Sequence, residues 1–161
     1  MPGWLPTNAS ARGRLVRAAL DMFGASGFDA VNVADLAGAA ATTTGPLYHH
    51  FGSKLGLYLV VREDVERRVT DRVEGALAAV ADVAAALVVA FDHLERTGLL
   101  RLVGEPAPAG VEDPVVALLT QHVGAPRGSM LAAAWRQGLL ETADGAAPDE
   151  VRHALRSLAP S

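Results

Sequence analysis

The stretch NVADLAGAAATTTGPLYHHFGSKLGL, residues 32–57, decides the fold. Asn32 with Asp35 three residues on resembles a capping box, the signature of a helix start. Val33, Leu36 and Ala37 give that helix a short apolar face, and it runs to about Ala40. Thr42, Thr43 and Thr44 follow, then Gly45-Pro46. Hydroxyl side chains suit the N-cap of a further helix, and proline is tolerated in a first turn because its missing N–H would be unpaired there. This next helix carries Leu47, Tyr48, His49, His50 and Phe51 and stops near Gly52, after which Ser53 caps another. Upstream, Leu15, Val16, Ala19, Met22 and Phe23 fall on one face of a helix capped by Ser10. Gly27 closes it as a left-handed C′ residue, with Phe28 folding back. Three short helices within 52 residues, the last two joined by a tight turn, are the parts of a helix-turn-helix.

Beyond this unit the chain stays helical. Val61, Val65, Val69, Val73, Leu77 and Val80 form a stripe at steps of four and three, with Gly75 a weak point in one rod. The charged residues between them read as a solvated face, with Glu63–Arg67 and Asp64–Arg68 in favourable i,i+4 order. A helix over Asp82–Thr97 closes at Gly98, and residues 104–112 are a loop by composition. Asp113-Pro114 opens a helix to about Val123, Ser129–Thr142 forms another, and Pro148-Asp149-Glu150 opens the last. The expected architecture is all-α: an arm over 1–9, a helix-turn-helix over 10–55 and a helical effector and dimerisation part over 56–161.

Composition agrees. The chain has 161 residues, half of them apolar, with 5% aromatic residues and no isoleucine or cysteine. Alanine favours helix and little favours strand. Without cysteine there is no disulfide framework, thiolate metal site or cysteine nucleophile, which suits a reducing cytosol. The apolar stretch from Gly75 to Phe91 is alanine-rich and carries Asp82, so it reads as a buried helix rather than a membrane span. The N-terminus lacks a secretory pattern. The net charge of −4 divides into +1 over residues 1–57 and −5 over the remainder, so only the first part tolerates a polyanion. The sequence has no nucleophile elbow, zinc-protease motif, phosphate loop or dinucleotide fingerprint, so no enzyme is expected.

The helix from Thr44 offers unpaired N–H groups and the positive end of its dipole to phosphate. Thr43, Thr44, Gly45 and Pro46 are compact enough for close approach to a duplex, and Tyr48, His49 and Lys54 can reach phosphate oxygens. His49 and His50 diverge by about 100° on a helix and cannot clasp one ion, so neither a metal nor a cofactor is expected.

Residues Arg14 to Leu57 resemble the TetR/AcrR family of transcriptional regulators. Leu15 to Phe28, Asn32 to Ala37, and the Thr-Thr-Gly-Pro-Leu-Tyr-His-His-Phe-x-Ser-Lys run from Thr43 carry the likeness. The resemblance implies a homodimer that binds a palindromic DNA operator, probes a small-molecule effector with its C-terminal part, and more often represses than activates. By position, Asn32, Thr43, Tyr48 and Lys54 would touch phosphate, while Thr44, Gly45, Pro46 and His49 would face bases or backbone. Leu15, Ala19, Phe23, Leu36, Leu47 and Phe51 would hold the third helix in place. Phe91, His93, Met130, Trp135 and Gln137 are candidates to line an effector pocket, with ordinary core or dimer contacts as the plainer reading. Leu131, Trp135, Leu139, Val151, Leu155 and Leu158 are expected as dimer anchors. Two departures stand out. Ala41 and Thr42 occupy turn positions where relatives carry glycine and an apolar residue, and a positive φ at Ala41 would cost about 1 kcal/mol. The C-terminal part is also short for the family. The competing reading is a helical dimeric binding module that has lost specific DNA recognition.

Overall fold

The structure, a computed structural model, describes residues 10–158. The described residues are helical without strands: α1 (Ala11–Ala30), α2 (Val33–Ala39), α3 (Thr44–Phe51), α4 (Lys54–Val80), α5 (Val83–Thr97), α6 (Leu100–Gly104), α7 (Pro114–Val123), α8 (Arg127–Ala143) and α9 (Pro148–Leu158). The arm expected over 1–9 lies outside the described residues. No described helix is long and apolar enough to cross a membrane.

The starts of five helices follow from side-chain caps. Ser10 Oγ accepts from Gly13 N at 3.0 Å, Asn32 Oδ1 from Asp35 N at 2.8 Å and Ser53 Oγ from Gly56 N at 2.9 Å. Asp82 accepts from Ala85 N, and Asp113 from both Val115 N and Val116 N. Each satisfies an N–H that the first turn leaves without a helical partner. Gly98, at φ 71°, closes α5 in the left-handed region.

Three expectations about the helices need correction. Gly27 has a positive φ of 78° but an extended ψ, and helical structure resumes after it to Ala30, so it kinks α1 rather than ending it. A Cβ at Gly27 would lie 2.0 Å from Glu105 Oε1, so only glycine leaves room for that carboxylate. Gly75 does not interrupt α4. Ahead of the expected loop, Leu100–Gly104 forms the short helix α6, wedged against α1 and α8. Its Gly104 packs so near Leu140 that a Cβ would come within 2.9 Å of that side chain.

One apolar core runs through the described chain. Leu15, Ala19, Phe23, Leu36 and Leu47 are fully buried beneath α3, and Phe51 packs partly buried against them. The α4 stripe is buried from Val61 to Leu77, but Val80 at its end is exposed. The dimer anchors are corrected. Leu131, Trp135, Leu139, Val151 and Leu155 are buried within the single chain, where α8 and α9 close over α5, and only Leu158 is exposed. Their apolar area is spent on folding and is not offered to a second copy.

The charged face of α4 is also not wholly solvated. Arg62 is 2% exposed and Glu66 4%. Both sit on the flank of the valine stripe, turned toward α7 and α8, where Arg136 (7% exposed) meets them.

Candidate nucleic-acid interface and the cleft behind it

The turn between α2 and α3 places the third helix. Ala40 N–H donates to Leu36 O, Ala41 N–H to Gly38 O and Thr42 N–H to Ala37 O, which winds the chain tightly at the end of α2. Ala41 adopts φ 48°, the left-handed conformation that its place in the turn demanded. The fold gives Arg14 a fixed place. Its Nε donates to Ala40 O at 2.8 Å and ties α1 to the turn. Leu47 then plugs α3 into the core, leaving the opposite face outward.

That face carries most of the expected residues. Thr43, Thr44, Gly45 and His49 are exposed, Tyr48 is 53% exposed, and Pro46 is half-buried. Thr43 is the N-cap of α3, yet its hydroxyl makes no capping bond. The first-turn N–H groups and that hydroxyl are therefore open to an outside acceptor, reinforced by the helix dipole. The His49 and His50 rings stand edge to face at 5.0 Å, and no cluster able to hold a metal occurs among the described residues.

Two expected contacts are occupied differently. Asn32 spends its side chain on Asp35, accepting from the backbone N–H and donating to the carboxylate. Lys54 turns inward: Nζ donates to Phe28 O and Val31 O, each at 2.9 Å, and lies 4.0 Å from the centre of the Phe28 ring. Its ammonium caps the end of α1. Nothing local in the sequence signals this, because the carbonyls lie 23 and 26 residues upstream.

The family model for bacterial regulatory proteins of the tetR family matches residues 15–61, the span from α1 through α3 into α4. Over that segment, less than a third of the chain, the sequence is similar to this family. It is 36% identical over 67 residues to the HTH-type transcriptional regulator CymR of Pseudomonas putida. That match takes in 42% of this chain and spans about a third of the length of the relative, 33%. Among solved structures, a TetR-family member from Streptomyces coelicolor A3 superposes with a TM-score of 0.62 at 22% identity, covering 94% of this chain and 99% of that one. The multidrug binding protein EbrR, complexed with imidazole, gives 0.61 at 20% identity, covering 99% and 96%. These likenesses extend the shared fold over α4–α9, beyond the matched segment.

The five pocket candidates do not converge. Phe91 and Trp135 are fully buried, and Trp135 Nε1 donates to Leu87 O at 3.0 Å. Met130 is 68% exposed, and Gln137 donates to Glu141 on the surface of α8. His93 is half-buried on α5, where burial and the charges of Arg72, Arg96 and Arg68 hold its pKa below the usual histidine value. The plainer reading holds for Phe91 and Trp135, which are core.

One cleft among the described residues lies between α4 and the segment leading into α7. It holds about 550 Å³ and is walled by Leu59, Val111 and Pro114, with Arg62, Glu66 and Thr70 along α4. Behind it runs a buried ionic network. Glu66 Oε1 accepts from Arg62 Nε and Nη2 at 3.1 and 3.0 Å, and from Arg136 Nη2 at 2.9 Å. Arg136 also grips both oxygens of Asp113 and donates to Val103 O. Arg62 continues to Tyr58 OH at 2.8 Å and to the carbonyls of Glu105 and Pro106. Tyr58 OH and Phe28 N–H both donate to the Glu105 carboxylate. The network thus runs from α8 to the end of α1. Burial pushes the Asp113 carboxyl up, but the Arg136 hydrogen bonds and charge and two backbone N–H groups outweigh it and hold the pKa below the ordinary value.

Proposed function

We propose that this chain is a DNA-binding transcription regulator of the cytoplasm, acting as a homodimer that represses from a palindromic operator and releases it when a small molecule binds the helical C-terminal part. The observation that carries the reading is the outer face of α3. Thr43, Thr44, Gly45, Tyr48 and His49 surround a helix start with open N–H groups, on a helix anchored through Leu47. Folding alone has no use for an exposed tyrosine and histidine there, whereas a phosphate backbone does.

Two copies would set their α3 helices about 34–36 Å apart, one turn of DNA. An effector preferring another spacing would lower operator affinity by its differential binding, typically about 1–3 kcal/mol. The helix α4 is the mechanical link, since its start is capped beside α3 and its middle forms the cleft wall. Pairing would draw on the outer faces of α8 and α9, where Met130 and Leu158 are the exposed large apolar residues.

The test is selection of genomic fragments by the purified protein, then titrations at two salt concentrations. Enrichment of a palindrome with affinity falling steeply with salt supports the reading. Binding without sequence preference, or none at low salt, refutes it in favour of a helical module without specific DNA recognition.

A further inference from the structure

The cleft beside α4 offers few donors besides Arg67 on its rim. All five N–H directions of Arg62 are consumed inside the protein: Nε and Nη2 by Glu66, Nη2 also by Glu105 O, and Nη1 by Tyr58 and Pro106 O. The Thr70 hydroxyl donates back to the carbonyls of Arg67 and Glu66. Arg67, on the cleft rim, pairs with Asp64, which also takes Arg68, so the expected Glu63–Arg67 pair does not form. Glu66 is the reverse case. It is 4% exposed and lines the cleft, yet the three hydrogen bonds to its carboxylate all end on Oε1 and none on Oε2. Among the described residues no wholly enclosed side-chain oxygen lacks a partner, so Oε2 opens to the cleft. An oxygen at so narrow an opening is poorly hydrated, and a ligand donor would satisfy it.

The charge points the same way. Arg62 and Arg136 balance Glu66 and Asp113 within the network, leaving the cleft's sign to its rim. Glu63 and Glu112 stand there with Arg67, whose charge Asp64 meets, and an adjoining cleft of about 350 Å³ that shares Thr70, Glu112 and Pro114 adds Glu74. Apolar walls between these carboxylates fit a hydrocarbon body. We infer that this cleft binds an amphipathic organic cation, a protonated amine that donates to Glu66 Oε2 and lays its apolar part against Leu59, Val111 and Pro114. The regulatory meaning rests on the ligand-responsive reading above, because the segment that walls the cleft begins at Glu105, which holds Phe28 at the end of α1.

The experiment is calorimetric titration of the full chain, without DNA, with three matched probes: diphenylpropylamine, diphenylpropanol and diphenylpropionate. The amine is expected to bind at least about tenfold more tightly than the alcohol, through its charge-assisted bond, and the acid not at all. Glu66→Gln should abolish that preference, but it strips a charge from between two arginines and risks unfolding. Val111→Arg avoids this, since Val111 is exposed; it should remove amine binding while leaving the melting temperature unchanged. Equal affinity for amine and alcohol, an amine affinity untouched by Val111→Arg, or no saturable amine binding would overturn the inference. The selected operator supplies the separate arm. Amine binding that leaves operator affinity unchanged upholds the cleft and refutes the effector role, whereas failure to find an operator leaves the titration to decide the cleft by itself.

Discussion

Replacing Arg136 with methionine removes the hub of the buried network while keeping most of its volume. The guanidinium is almost wholly enclosed and serves Glu66, Asp113 and Val103 O together. Methionine leaves Glu66 with Arg62 alone, a carbonyl without its donor, and Asp113 facing an apolar chain. Breaking a buried pair by deleting one partner costs about 3–5 kcal/mol. Asp113 is only half-buried and water can relieve it, so the lower end, about 3 kcal/mol, is expected. For a chain of this length that corresponds to a melting temperature lower by about 6–12 °C. The pH dependence adds a second constraint. The folded pKa of Asp113 is depressed, so its stabilisation is present above the ordinary carboxylate value and is lost as pH falls through the lower folded value. Without Arg136, that acid-side loss shrinks. Urea unfolding of both proteins, near neutrality and at several lower pH values, should give a gap that is widest near neutrality and narrows below about pH 4. A loss under about 1 kcal/mol, the range of a solvated pair, or a gap independent of pH would refute the reasoning.

Four further outcomes are expected. Ala41→Gly should raise stability by about 1 kcal/mol, read by urea midpoint, because glycine relieves the positive φ in the α2–α3 turn. Gly24→Ala should lower it by about 1–3 kcal/mol, since the new Cβ would meet Gly98 O at 2.4 Å and α1 would have to move from the α5–α6 turn; an unchanged melting curve would deny that close approach. Tyr48→Phe should leave melting unchanged and weaken DNA binding on all sequences, whereas Lys54→Met should cost about 2 kcal/mol of stability through its two carbonyl bonds, a contrast visible by pairing melts with DNA titrations. Thr44→Ala should shift the bases enriched in a binding selection, and an unaltered profile would remove Thr44 from base readout.

What could be read from sequence was what is local. Ser10, Asn32, Ser53 and Asp113 start helices by bonds to N–H groups three or fewer residues away, and each was recognisable from its neighbours. The α3 face was legible because a helix buries one side and Leu47 marks which side that is. What escaped was joined across distance. Arg62 and Glu66 look like any i,i+4 surface pair until Arg136 arrives from 70 residues beyond Glu66. Lys54 looks like a free ammonium until the end of α1 folds beside it. Helix α6 has five residues and no side-chain cap, so it forms because α1 and α8 enclose it rather than from its own preference. The dimer anchors failed for a related reason: an apolar stripe states that a face is buried and not whether its own chain or another covers it.

The reach of the ionic network also limits how this protein can be recombined. A chimaera that joins the α1–α3 unit to another helical body has natural seams near residue 53, where Ser53 caps a fresh helix. A crossover placed a few residues later, between Arg62 and Arg136, would separate partners that neutralise each other and leave a buried ion without its counterpart. Exchange of the recognition unit should therefore succeed when Arg62, Glu66, Asp113 and Arg136 are inherited together from one parent. Hybrids that divide this set should be recovered rarely from a shuffled library.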